Sequence, residues 1–100
     1  MIISYIACKD EKEANKIATT LLKNKMAACV NTFPVKAMYM WKGKLEKEKE
    51  TIMIAKSTQK NATKVMSETK KLHSSDIPCI IQWKTKANNE FERWVNENSK

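Results

Sequence analysis

The chain has 100 residues and a mass of 11.5 kDa, which leaves room for one ordinary domain. One glycine, two prolines and 42% hydrophobic residues exclude collagen-like, linker-rich and disordered chains. The net charge of +8 invites a nucleic-acid or anionic-surface hypothesis, but net charge bears on association and solubility and not on fold.

The first half of the chain predicts a strand, a helix and a long hairpin. Residues 2–7 are a short apolar run, which is typical of a buried strand. Asp10 and Glu13 resemble a capping box, and apolar residues then recur at helical spacing, so we expect a helix from about Asp10 to Lys25. The extended runs 28–41 and 45–56 flank Lys42–Gly43, which contains the only glycine and predicts the turn of a hairpin.

The second half predicts a helix, a strand and a short terminal helix. Ser57 or Thr58 is expected to cap the helix, whose inner stripe is Ala62, Val65, Met66, Thr69 and Leu72. Residues 79–83 predict the strand, and Asn88 or Asn89 precedes a helix with Phe91, Trp94 and Val95 on one face. The order predicts one α+β domain over residues 1–100, a ferredoxin-like βαββαβ antiparallel sheet (order 4-1-3-2) with a C-terminal helix.

The hairpin arms are too long for the rest of the predicted sheet. Each arm has about thirteen residues and spans roughly 43 Å, whereas strands one and four have about seven residues and span roughly 23 Å. The far half therefore projects, although it carries a run of four apolar residues, 38–41. An isolated ribbon is marginal in water, and such a patch rarely stays exposed. We therefore expect other copies of the chain to cover it in a ring-shaped homo-oligomer.

Residues 46–50 alternate glutamate and lysine, so three glutamates face one side of the strand and two lysines face the other. One interpretation is a solvated edge that blocks aggregation. The other is an intersubunit role, in which charges of opposite sign from a second copy meet each row. Both interpretations stay open on the sequence.

Five motifs occur in order along the chain: Ala27-Ala28-Cys29-Val30-Asn31 followed by Pro34, Tyr39-x-Trp41-x-Gly43-Lys44, Glu50 with Lys56, His73-x-x-Asp76-Ile77-Pro78, and Phe91-x-x-Trp94. Together they resemble the CutA divalent-cation tolerance family over essentially the whole chain. The resemblance implies a ferredoxin-like homotrimer built by the long hairpins and a role in tolerance of copper and other divalent metals. We expect no organic cofactor.

Two positions depart from the family pattern. The family usually has His-Pro-Tyr-Glu where this chain has His73 followed by Ser-Ser-Asp, so the aromatic residue is missing. The cysteine that is sometimes credited with metal binding in the family falls near Ile6, whereas Cys8 lies two residues further on.

Candidate metal ligands follow from the predicted topology. The order 4-1-3-2 brings the end of strand one, the end of helix two and the start of strand four to one rim. We expect His73 there as the first ligand of copper or another divalent ion, then Cys8 and Asp76, and Cys79 if its side chain turns outward. The alternative is a structural role, because strand cysteines are usually buried hydrophobes and histidines at helix ends often cap carbonyl groups.

Other function classes find less support. No glycine-rich phosphate loop or orienting group for a Cys–His pair is evident, so we expect no enzymatic activity. The third strand lacks the aromatics and glycine of RNA-recognition domains, so we expect no nucleic-acid partner. The main alternative, by analogy of fold, is a PII-like trimeric module that binds a small effector or protein at intersubunit clefts. The residues assigned to a cleft or interface are Cys29, Asn31, Tyr39, Trp41, Lys44, Glu50, Lys56 and Trp83.

Cysteine number and hydropathy bear on the compartment. Three cysteines, an odd number, argue against a disulfide framework, and no zinc-ligand spacing occurs. No run of about 18 apolar residues is present, and the apolar first residues lack the basic region and cleavage site of a signal peptide. We therefore expect a cytoplasmic protein with reduced thiols and no membrane partner.

Overall fold

The chain forms four strands and three helices in a computed structural model that describes residues 1–100. The strands are β1 (Ile2–Cys8), β2 (Cys29–Trp41), β3 (Lys44–Ser57) and β4 (Ile80–Lys84), and the helices are α1 (Glu11–Lys23), α2 (Ala62–Leu72) and α3 (Asn89–Asn98). All strand pairs are antiparallel and the order is β2-β3-β1-β4, which confirms the predicted order counted from the other edge. None of the helices is long and apolar enough to cross a membrane.

Alternating burial along β1 distinguishes the two faces of the sheet. Every second residue from Ile2 to Cys8 is buried, and the residues between them are half-buried. The buried set packs against α1 and α2 in a core made of Ile6, Cys8, Ala14, Ile17, Leu21, Ala27, Met53, Ala55 and Val65. On the opposite face, which we call the open face, Ile81 and Trp83 are 53% and 45% exposed.

Local hydrogen bonds explain where the two main helices begin. The Asp10 carboxylate accepts the Glu13 N–H at 2.8 Å, so α1 starts directly after Asp10 as expected. The prediction that Ser57 or Thr58 caps the helix holds in position only: β3 continues through Ser57, and Thr58 is the N-cap residue of a 3-10 turn (Gln59–Asn61) that leads into α2, but its side chain makes no capping hydrogen bond. The Thr58 hydroxyl donates to the Ser99 carbonyl at 3.1 Å and caps neither element.

Ser99 fastens the C-terminal end of α3 to the domain. Its hydroxyl is 1% exposed, accepts from Asn61 Nδ2 at 2.9 Å and from the Thr58 N–H at 3.0 Å, and donates to the Met26 carbonyl at 2.9 Å. Val95 on the preceding turn is fully buried. The short terminal helix is therefore held to the domain by the buried Val95 side chain and by the hydrogen bonds of Ser99.

The hairpin extends well beyond the other strands. β1 pairs only with residues 51–57 of β3, so residues 35–41 and 44–50 form a two-stranded ribbon, and the molecule is 46 Å long against 24 and 20 Å in the other directions. Lys42 and Gly43 both have positive φ, 50° and 79°, as a two-residue type I′ turn requires. The predicted projecting hairpin is therefore present.

Candidate metal centre

One rim of the domain gathers the segments that carry candidate ligands. The start of α1 lies beside the end of α2, because the Ser74 N–H donates to Glu13 Oε2 at 2.9 Å. β1 ends at the same rim and β4 starts there, since the Ala7 N–H donates to the Cys79 carbonyl at 3.1 Å. Antiparallel packing of the two helices on one sheet thus positions Cys8 and the loop after α2 next to each other.

Three side chains at this rim form a buried cluster, which we call the triad: Cys8, Glu13 and His73. Each offers one ligand atom, and these atoms lie within 4.8 Å of one another. Cys8 is 1% exposed, and the side chains of Glu13 and His73 are 6% and 4% exposed. Glu13 is absent from the candidates derived from sequence, because a capping box already explains a glutamate at that position.

Both ring nitrogens of His73 are engaged within the chain. Nδ1 accepts the Ser75 N–H at 3.0 Å, so the ring proton lies on Nε2, which donates to the Ala7 carbonyl at 2.6 Å. Nε2 also lies 3.9 Å from Glu13 Oε1. The imidazole therefore ties the end of α2 to the end of β1, and it does not cap helix carbonyls.

Glu13 and Cys8 have shifted acidities for different reasons. Burial alone would raise the pKa of Glu13, but hydrogen bonds from Ser74 and Lys9 and the nearby His73 outweigh burial and lower it. Burial raises the pKa of the Cys8 thiol to about 12, with further contributions from the carboxylates of Glu13 and Asp10. Cys8 is therefore a neutral thiol at physiological pH in the metal-free chain.

Asp76 and Cys79 lie outside the triad. Both are exposed and line a groove of about 920 Å³ between residues 73–79 and the ribbon. Cys79 lies opposite Ala7 in the ladder, so its side chain and that of Cys8 are on opposite faces of the sheet. Ser75, where the family usually has tyrosine, accepts the Ile77 N–H through its hydroxyl at 3.3 Å.

The predicted cleft residues fall into two groups at opposite ends of the β2–β3 hairpin. One group lies on the open face near the ends of the sheet: Cys29, Asn31, Lys56 and Trp83. There Lys56 Nζ donates to Asn31 Oδ1 and lies 3.8 Å from Cys29 Sγ. The other group lies in the ribbon near its turn: Tyr39, Trp41 and Lys44. The length of β3 separates Lys44 from Lys56 by about 40 Å, so one chain alone does not assemble a cleft from both groups.

Charges on the ribbon have no counter-charge across the hairpin. The three glutamates, including the predicted Glu50, line the groove and pair across the strands with uncharged residues: Glu46 with Tyr39, Glu48 with Ala37, and Glu50 with Val35. On the other side of the ribbon Lys36 pairs directly with Lys49, where like charges repel.

A hydrogen bond with Glu48 raises the pKa of Tyr39 above its usual value.

Comparisons with known proteins cover the whole fold. The family model described as CutA1 divalent ion tolerance protein matches residues 2–98. A divalent-cation tolerance protein CutA from Archaeoglobus fulgidus is 39% identical over 94 residues, which are 93% of this chain and 92% of that protein. A crystal structure of CutA1 from Pyrococcus horikoshii matches with a TM-score of 0.96 at 36% identity, covering 100% of this chain and 99% of that one. A structure from A. fulgidus, described as a periplasmic divalent cation tolerance protein CutA, matches with a TM-score of 0.95 at 37% identity and covers 100% of both chains.

Proposed function

The chain belongs to the CutA1 divalent ion tolerance family, and from this premise we propose that it acts in the response to metal ions by binding copper or another divalent ion at the triad. The single observation that carries the proposal is the convergence of the Cys8, Glu13 and His73 ligand atoms within 4.8 Å. Thiolate with imidazole selects borderline and soft ions such as zinc and copper, and a carboxylate adds a charged oxygen ligand.

Metal binding at the triad has a structural cost. Cys8 must lose its proton before its sulfur can bind a metal. Because the pKa of this thiol is high, the proton is the principal competitor of the metal. A metal at His73 Nε2 displaces the proton that bonds the Ala7 carbonyl. A neutral imidazole then carries its proton on Nδ1, which conflicts with the Ser75 N–H that now donates there. Binding therefore requires the turn at residues 73–75 to rearrange.

Zinc titration in competition with a chromophoric chelator tests the proposal, because zinc is redox-inert. We expect one zinc per chain at the triad, and loss of that site in Cys8→Ser and His73→Ala. Asp76→Asn is the matched control, since Asp76 lies at the same rim outside the triad. Hydrogen exchange at the Ser75 amide should accelerate on zinc binding. Equal zinc affinity in wild type and His73→Ala would contradict the proposal.

We further propose that the functional unit is a homotrimer in which other copies cover the open face and the ribbon. The supporting features are the exposed apolar side chains on one continuous face: Phe33, Tyr39, Trp41, Ile81 and Trp83. The unpaired glutamate row on the same side of the ribbon favours the intersubunit interpretation, because cations from a second copy can meet it. Such contacts add buried apolar area to a thin single-chain core.

Sedimentation equilibrium tests the assembly, with an expected mass about three times 11.5 kDa. Ile81→Glu places a charge on the open face and should shift the equilibrium towards the monomer. Leu22→Glu is the matched control, because Leu22 is 39% exposed on α1, on the helical side of the sheet. A monomeric wild type, or equal dissociation of both variants, would contradict the trimer.

We propose that this activity is binding without catalysis and that it takes place in the cytoplasm. A buried thiol with a pKa of about 12 is a poor nucleophile at physiological pH, so Cys8 and His73 do not form an activated pair. The three free cysteines would stay reduced in the cytoplasm. Cell fractionation tests the location, and recovery with periplasmic markers would contradict it.

A further inference from the structure

The outward sides of α1 and α2 carry the same pattern of side chains. On both, lysine, lysine, a hydroxyl residue and lysine follow one another at positions i, i+4, i+7 and i+11. All of these residues are exposed. We call the two rows the lysine stripes; they consist of Lys12, Lys16, Thr19 and Lys23 on α1, and of Lys60, Lys64, Ser67 and Lys71 on α2 and the 3-10 turn before it.

Helical geometry aligns each stripe along one side of its helix. Residues with this spacing lie within about 60° of one another around the axis and extend about 16 Å along it. The opposite side of α1 packs into the core through Ala14, Ile17 and Leu21, and α2 packs there through Val65. Both stripes therefore point away from the sheet.

The two stripes lie side by side on one surface, which we call the lysine face. The start of α1 lies beside the end of α2, where the Ser74 N–H donates to Glu13, so the helices run in opposite directions. The axes of packed helices are about 8–10 Å apart. The lysine face lies on the helical side of the sheet, so it stays accessible when other copies cover the open face and the ribbon.

Basic groups exceed acidic ones on the helical side. Residues 11–25 and 60–72 carry eight lysines and three glutamates. Of these glutamates Glu13 is buried, and half-buried Glu68 lies 3.2 Å from Lys71, whose side chain remains 71% exposed. A shallow depression of about 530 Å³ adjoins the α2 stripe and adds further ammonium and hydroxyl donors, from Lys70 and Thr63. Such a charge distribution attracts anions.

We propose that the lysine face binds linear polyphosphate, a phosphate polymer that carries no bases. Lysine ammonium groups and the hydroxyls of Thr19 and Ser67 can donate hydrogen bonds to phosphate oxygens, and bonds between charged groups are the stronger ones. A flexible chain of phosphates can follow both stripes, because they run along neighbouring helices on one surface.

The composition of the lysine face favours a bare phosphate chain over other polyanions. Proteins that bind single-stranded nucleic acids add aromatic side chains that stack on bases, and neither α1 nor α2 contains an aromatic residue. The only arginine, Arg93, lies in α3, so no guanidinium is available for stacking. Helices that lie on membranes insert an apolar side, whereas Leu22 is the only large apolar side chain exposed on these two helices.

Fluorescence anisotropy of end-labelled polyphosphate tests the proposal on the intact protein, in EDTA so that no metal ion bridges the two. Lys16→Glu combined with Lys64→Glu reverses one charge in each stripe and should lower the affinity at least tenfold at physiological salt. Lys42→Glu combined with Lys86→Glu is the matched control. It changes the net charge equally at exposed positions outside the lysine face and should alter the affinity less than threefold.

Salt dependence and competition give independent readouts. The affinity should fall with salt, because lysines displace the counterions of the phosphate chain, and the slope should be shallower by about 1.4 or more in the stripe variant. At equal phosphate concentration, oligo(dT) and phosphatidylserine vesicles should compete less well than unlabelled polyphosphate. Three results would overturn the proposal: no polyphosphate binding at low salt, equal losses in the stripe and control variants, or tighter binding of oligo(dT) or of the vesicles.

Discussion

Replacing Glu13 is the sharpest test of how the rim is held together. The carboxylate accepts the Lys9 N–H through Oε1 and the Ser74 N–H through Oε2, both at 2.9 Å, and it is nearly buried. Hydrogen bonds to a charged group contribute about 1.5–3 kcal/mol each. Glu13→Ala removes both acceptors and should lower the free energy of unfolding of the metal-free protein by about 3 kcal/mol.

Urea denaturation measures this loss. With a slope of about 1.5 kcal/mol per molar urea, the midpoint should fall by about 2 M in Glu13→Ala. Glu11→Ala is the matched control, because Glu11 is an exposed acid in the same first turn of α1 and should change the midpoint by less than about 0.5 M. Equal midpoints for the two variants would refute the argument that Glu13 joins β1, α1 and the loop after α2.

The pH dependence of the free energy of unfolding shows whether the charge of Glu13 stabilises or destabilises the fold. The folded-state pKa of Glu13 is lowered, so its stabilisation is complete above the ordinary carboxyl pKa and is lost as the pH falls through the lowered value. The stability difference between wild type and Glu13→Gln should therefore be largest near pH 7 and shrink as the pH falls below the ordinary carboxyl pKa of about 4.3. A difference that grows in acid would mean that the pKa of Glu13 is raised in the folded state.

Three further predictions concern separate parts of the fold. Ser99→Ala leaves the Thr58 N–H and the Met26 carbonyl without a partner and should cost about 1–3 kcal/mol in thermal unfolding, whereas Ser67→Ala on the exposed side of α2 should be neutral. Leu21→Ala should cost about 2–5 kcal/mol and Leu22→Ala much less, because Leu21 is fully buried and Leu22 is 39% exposed; equal losses would place the core elsewhere. In thiol counting near neutral pH, Cys8 should stay unreactive until the protein unfolds, and a fast Cys8 would contradict its buried, protonated state.

The fold could be predicted because local and global signals agree. The single glycine falls at the positive-φ turn of the hairpin, and alternating apolar residues specify which face of β1 is buried. The start of α2 could not be predicted, because Ser57 is itself a good capping residue. Only the register shows that β3 continues through Ser57, and only the tertiary contact with Ser99 shows what occupies the Thr58 hydroxyl.

The candidate site could be predicted in part. Antiparallel topology is enough to expect Cys8 and His73 at one rim, but it does not reveal that Glu13 completes the cluster, because a glutamate in the first turn of a helix has a local explanation. The Ser74 N–H that bonds Glu13 exists because this chain lacks the proline usual in the family, and proline has no N–H to donate. Ser74→Pro should therefore raise the pKa of Glu13.

X-ray absorption at the zinc edge, on protein loaded with one zinc per chain, tests the central claim most directly. The proposed triad predicts one sulfur ligand at about 2.3 Å together with nitrogen and oxygen ligands at about 2.0–2.2 Å. The sulfur shell should disappear in Cys8→Ser and persist in Cys79→Ser. A coordination shell of nitrogen and oxygen alone in the wild type would contradict metal binding at Cys8, Glu13 and His73.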